Sequence, residues 1–119
     1  MVPFRLLIAA LYAVLLVYTL VVIGKDGMGL LPIFFGDIAA VRWPGQFNLD
    51  FLCFLVLNAT WLAWRHHFTP LGLALGILGF FGGFGVLGIY LIWASVRAKG
   101  DPAVLLLGPK RAAARRGAA

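Results

Sequence analysis

Apolar residues in this chain come in long unbroken blocks, and polar residues collect between the blocks. The first block, Leu6 to Ile23, holds 18 residues without a charge and lies between Arg5 and Lys25. Crossing roughly 30 Å of hydrocarbon takes about 20 apolar residues in a helix. The block therefore predicts a membrane span over 6–23, with Gly24 placed to end it. A basic residue ahead of an apolar stretch also begins a secretory signal peptide. This stretch is longer than the usual signal core and no small-x-small cleavage motif follows it, which favours an uncleaved anchor.

The second block predicts a span over 48–65. Pro44 and Gly45 break the chain ahead of it, Asn48 is the expected cap, and Asp50 is expected in the first turn, where the helix dipole favours an anion. Trp61 and Trp64 supply an aromatic belt at the other end, and Arg65 follows. The third block predicts a span over 70–95. Thr69 reads as its N-cap and Pro70 as its first residue. Tyr90 and Trp93 mark the second interface, and Arg97, Lys99, Gly100 and Pro102 end the helix. Residues 24–46, between the first two spans, contain a short apolar run interrupted by Pro32, too short to cross. It is expected to be an interfacial or re-entrant loop, with Asp37 capping a short helix through Trp43.

The pattern thus predicts an all-α membrane protein. It has three transmembrane helices in a single membrane domain over 1–96, an interfacial or re-entrant segment between the first and second, and a basic C-terminal tail over 97–119. Composition agrees: of 119 residues, 63% are hydrophobic, 12% are charged and none is Glu. A soluble domain carries about 25% charged residues, so soluble, disordered and disulfide-stapled classes are excluded. The single cysteine, Cys53, reads as a packing residue.

Charge sets the expected orientation. With three spans, Arg5 and Arg65 share one side. Lys25 and Arg42 share the other with the six tail cations Arg97, Lys99, Lys110, Arg111, Arg115 and Arg116. Cytoplasmic loops accumulate Lys and Arg, so the N-terminus is expected outside and the C-terminus in the cytoplasm. Of the net +6, the tail supplies +5. Beside a span, such a tail points to anionic phospholipid head groups of the bilayer rather than to nucleic acid. Residues 103–107 are expected to dip into the interface.

Three constellations invite a functional reading. Gly72, Gly76, Gly79 and Gly83 fall on one face of an α-helix, as small-xxx-small pairs that let backbones approach closely. They fit either packing inside the chain or a homo-oligomer or larger membrane complex. Gly82, Gly85 and Gly88 face elsewhere, so residues 79–88 are expected to be flexible or kinked. Asp50 and Asn58 form a candidate polar site. Asp50 reads as a first-turn residue or as half of a pair with Arg42 or a tail cation, and Asn58 as a donor between helices. His66 and His67 could hold a metal, but adjacent helix positions diverge and no third ligand is near, so a solvated turn is expected. The GxGxxG string at Gly83 to Gly88 lies inside an apolar span and does not read as a dinucleotide fingerprint. No catalytic set, cofactor site or metal site emerges.

The stretch Trp43-Pro44-Gly45-Gln46-Phe47-Asn48-Leu49-Asp50-Phe51, with Trp61-Leu62-Ala63-Trp64-Arg65-His66, the Gly-rich last span and the Lys99-Gly100-Asp101 and Leu106-Leu107-Gly108 ending, resembles small bacterial membrane proteins grouped as domains of unknown function. The likeness covers residues 37–111. It implies a bacterial inner-membrane protein and no particular activity. The leading expectation is a non-enzymatic accessory or self-associating subunit that packs through the glycine stripe. The alternative is a small transport or lipid- and isoprenoid-handling protein using a cavity near Asp50 and Asn58.

Overall fold

The computed structural model describes residues 1–118, and these are helical with no strand. In chain order the helices are α1 (Val2–Asp26), α2 (Leu30–Ala40), α3 (Trp43–Arg65), α4 (Pro70–Gly82), α5 (Phe84–Ala98), α6 (Pro102–Leu107) and α7 (Pro109–Ala118). Two of them, α1 and α3, are long and apolar enough to cross a membrane.

The continuous helix expected over 70–95 is instead two helices meeting at Gly83. The start is as read from sequence: the Thr69 hydroxyl accepts from the Gly72 N–H and Pro70 opens α4. Gly83 then adopts φ 55° and ψ −134°, a conformation that needs glycine. The contacts show that the chain turns back there. Gly83 lies against the side chains of Phe51 and Leu55 midway along α3. Tyr90, only seven residues later, bonds to Arg65 and His66 at the end of α3. A helix running straight on past Gly83 would carry Tyr90 about 10 Å further from Arg65, at 1.5 Å per residue. So α4 and α5 form a helical hairpin. Its arms, 13 and 15 residues long, reach only about 20 and 22 Å, each short of a bilayer.

The segment between the first two spans also differs from expectation. It is not a loop: α1 continues to Asp26 and α2 fills residues 30–40. Pro32 sits in the first turn of α2, where its missing N–H has no intrahelical role. α3 begins at Trp43, because Pro44 is tolerated in a first turn rather than breaking the chain. Asn48 is therefore inside α3 and caps nothing. Its Nδ2 donates to the Phe34 carbonyl at 3.1 Å and to Asp37 Oδ2 at 3.4 Å, tying α3 to α2. Asp37 likewise lies within α2 rather than at its start. At Gly45 the two helices touch so closely that a Cβ would sit 2.2 Å from the Asp37 carbonyl oxygen.

α5 returns along α1. Tyr12 Oη donates to the Gly85 carbonyl at 2.8 Å, and Arg5 Nε donates to Ser95 Oγ at 3.0 Å, so the helices are antiparallel. The N-terminus, the end of α3, the start of α4 and the end of α5 consequently meet at one end. Leu62, Tyr90, Ala94, Ala98 and Leu105 form the buried core there. The tail is not a free extension. Asp101 caps α6, Leu105 of α6 is buried in that core, and α7 folds against α6. Residues 103–107 therefore pack on protein as well as facing outward.

Candidate functional site

The site is assembled from the end of α3 upward. α3 terminates in a Schellman motif: the His67 N–H bonds to the Trp64 carbonyl at 3.0 Å and the Phe68 N–H to the Ala63 carbonyl at 2.8 Å. The position normally given to glycine is His67, with φ 58°, and Phe68 follows at φ 54°. Two side-chain-bearing residues in left-handed conformation make a tight, strained turn and project His67 away from the helix end.

Arg65, the last residue of α3, is 5% exposed. A buried guanidinium is tolerable only when its donors are matched. Nε donates to the Leu105 carbonyl at 2.8 Å, Nη1 to Tyr90 Oη at 2.7 Å and Nη2 to the Val104 carbonyl at 3.1 Å. Arg65 thus joins α3, α5 and α6. His66 Nε2 lies 2.6 Å from the same Tyr90 oxygen. Burial, and then the charges of Arg65 and His67, hold the His66 pKa below its ordinary value, so near pH 7 the ring is neutral. Arg65 can only donate, so the Tyr90 proton is free to go to His66 Nε2, which places the ring proton on Nδ1. Trp61 packs edge-on to Tyr90 and donates from Nε1 to the Leu106 carbonyl at 3.0 Å. The Arg111 guanidinium stacks 3.9 Å above the Trp64 ring and donates to the Trp64 carbonyl.

Outside this locked centre is a cleft of about 450 Å³, lined by Arg65, His66, His67, Thr69, Trp93, Arg97, Val104, Pro109 and Lys110. Among the described residues no carboxylate lines it. Desolvation, and then Arg111 and Lys110, lower the His67 pKa, as a positive local field should. Arg97 lies 5.5 Å over the Trp93 ring. The one acid at this end, Asp101, is occupied by Arg116 and by the Ala103 N–H.

The residues singled out from sequence fall in different places. Gly72, Gly76 and Gly79 are buried against α3, where a Cβ on Gly76 would come within 2.9 Å of the Ala59 carbonyl oxygen. Gly83 forms the hairpin tip. Asn58 Nδ2 donates to the Gly79 carbonyl at 3.2 Å, just before that tip. Asp50 is remote from Asn58 and from every basic tail residue. It is exposed, in the eighth position of α3 rather than its first turn, and forms no ion pair among the described residues. Among the described residues neither expected pair forms: no ion pair links Asp50 to Arg42, and the tail cations lie at the opposite end of α3. Neither Asp50 nor Asn58 lines any of the most pronounced clefts among the described residues. Arg97, Lys99, Lys110, Arg111, Arg115 and Arg116 do gather, and Arg5 and Arg65 join them. Lys25 and Arg42 remain at the other end with Asp26 and Asp37. Eight of the ten Lys and Arg residues thus share one end, but the set differs from the one expected for three spans.

Sequence reasoning did not join Tyr90 to Arg65 and His66, nor Arg65 to the Val104 and Leu105 carbonyls. These groups lie on α3, the turn after it, α5 and α6, and no spacing rule connects them. Among the described residues, no three His, Cys, Asp or Glu side chains gather as a metal site would require. No protein-family model, curated protein or solved structure matches the chain.

Proposed function

We propose that this is a non-catalytic accessory protein of a bacterial inner membrane that holds anionic phospholipid at a rigid basic cap. In this reading α1 and α3 are the two spans, the α4–α5 hairpin is re-entrant, and both termini face the cytoplasm. One observation supports it above the rest: eight of the ten cationic side chains converge at one end, and Arg5, Arg65 and Arg111 are fastened there by hydrogen bonds. Lys and Arg accumulate on the cytoplasmic side, and each adds about 1 kcal/mol of attraction to an anionic surface. Self-association through the glycine stripe has less support, because α3 already covers all four of its glycines. An accessory contact is better placed on the exposed face of α1.

The test is native mass spectrometry of the protein released in mild detergent. The proposal expects anionic phospholipid to be retained beyond its share of the membrane. It also expects that excess to vanish when Arg97, Lys99, Lys110 and Arg115 are all replaced by Gln. Lipid retained in membrane proportion by both proteins would contradict it.

A further inference from the structure

We propose that the cleft between the α3–α4 turn, the end of α5 and the start of α7 is a binding site for a phosphate monoester, held by Arg97, Lys110 and His67. This rests on the reading of the basic end as a lipid-binding surface and narrows it to one site and one headgroup class.

The argument is one of unmatched charge and donors. Four of the eight cations at this end are already engaged. Arg5 bonds to Ser95, Arg65 to α5 and α6, Arg111 to Trp64 and Arg116 to Asp101. Arg97, Lys110 and His67 all line the cleft and have no hydrogen-bond or ion-pair partner among the described residues. Arg65 closes its inner wall with a further fixed charge, and among the described residues no acid lines the cleft to offset it. Thr69 also lines this wall, but its hydroxyl is spent on the turn, donating to the His66 carbonyl at 2.8 Å and accepting from the Gly72 N–H.

The positions look built for this purpose. His67 is held outward by a left-handed backbone where glycine would be free of strain. Arg97 is steadied on the Trp93 ring. Three separate donors around one small volume suit a group with three terminal oxygens. A phosphate monoester offers three and carries about −1.5 to −2 near neutral pH. A phosphodiester headgroup offers two and carries one charge. Trp93 and Trp64 place the cleft at the level of an aromatic belt, where lipid phosphates lie. Phosphatidate has this chemistry on a lipid, and a free phosphomonoester has it in solution.

The full-length protein in nanodiscs tests this. Discs containing phosphatidate or phosphatidylglycerol, in a phosphatidylcholine background, are compared by the lipid bound per protein. A preference of about tenfold for phosphatidate is expected from the second charge acting on two cations. Arg97→Gln with Lys110→Gln should abolish the preference. Lys99→Gln with Arg115→Gln removes equal charge outside the cleft and should leave the ratio intact while lowering total binding. His67→Gly relieves the strained turn, so it keeps the fold, and it should still weaken the preference.

Equal binding of the two lipids would overturn the monoester site while leaving anionic-lipid binding standing. Binding of neither would overturn both. Competition by inorganic phosphate at concentrations matching the lipid would overturn the lipid as the source. A ratio lowered equally by the two double variants would show a diffuse field instead of a site.

Discussion

Arg65 Nη1 donates to Tyr90 Oη across 2.7 Å, and this bond joins the end of α3 to the returning arm of the hairpin. It can form only because the chain reverses at Gly83. The same guanidinium holds two carbonyls of α6, so hairpin and cap are fastened at one point. Arg65→Met leaves those carbonyls and the phenol without their donor, at a cost of about 1–3 kcal/mol. Tyr90→Phe removes one partner and costs about 1–2 kcal/mol. The expected readout is faster trypsin cleavage at Lys99 and Lys110 in both variants. The combined variant should be no worse than Arg65→Met alone.

The hairpin tip makes a second prediction. An alanine at Gly83 must adopt φ 55°, at a cost of about 1–2 kcal/mol. Two residues on, a Cβ at Gly85 meets nothing within 4 Å, and alanine there should be neutral or stabilising by about 0.5–1 kcal/mol. Thermal unfolding in detergent should separate the two. Equal melting temperatures would remove the reversal from the account.

Acidification bears on the His66–Tyr90 contact. His66 titrates lower in the folded protein than in the unfolded chain, whose ordinary value is 6.5. Above pH 6.5 both states hold a neutral ring and stability is full. As pH falls below 6.5 the unfolded state takes up the proton first, so stability declines until the folded ring also titrates. The melting temperature should fall over that window, and His66→Gln should flatten the slope.

How much of this was visible in the sequence depended on whether the signal was local. Thr69 and Pro70 form the N-terminus of α4 as their side chains dictate, because a cap needs only residues within one turn. The apolar block over 6–23 is the interior of α1 for a similar reason. The reversal at Gly83 was hidden. Residues on both sides are equally apolar, and counting hydrophobic residues cannot tell a crossing helix from a folded one. Only the glycines over 79–88 hinted at a break. Asn48 was misread because Pro44 looked like a breaker when it is the second residue of α3. Once the third block folds back, the tail lies at the opposite end of α3 from Asp50, so the expected pair between Asp50 and a tail cation cannot form.

The close approach of α2 and α3 gives a local check on that corrected boundary. Gly45→Ala places a methyl 2.2 Å from the Asp37 carbonyl oxygen, a backbone atom with little room to move. The variant should lose about 1–3 kcal/mol. Cross-linking between cysteines placed at Ile38 and Gln46 should fall with it.

The central claim is that the turn after α3 and the C-terminal cap lie on the same side of the membrane. Single cysteines at Phe68 and Ala113, each in a Cys53→Ser background, can be treated with a membrane-impermeant maleimide in intact spheroplasts and in inverted vesicles. A cysteine at Asp26 serves as the reference for the other side. Folding at Gly83 predicts that Phe68→Cys and Ala113→Cys label together, in inverted vesicles, while Asp26→Cys labels in spheroplasts. Labelling of positions 68 and 113 from opposite sides would mean that residues 70–95 cross the membrane, and would contradict the account.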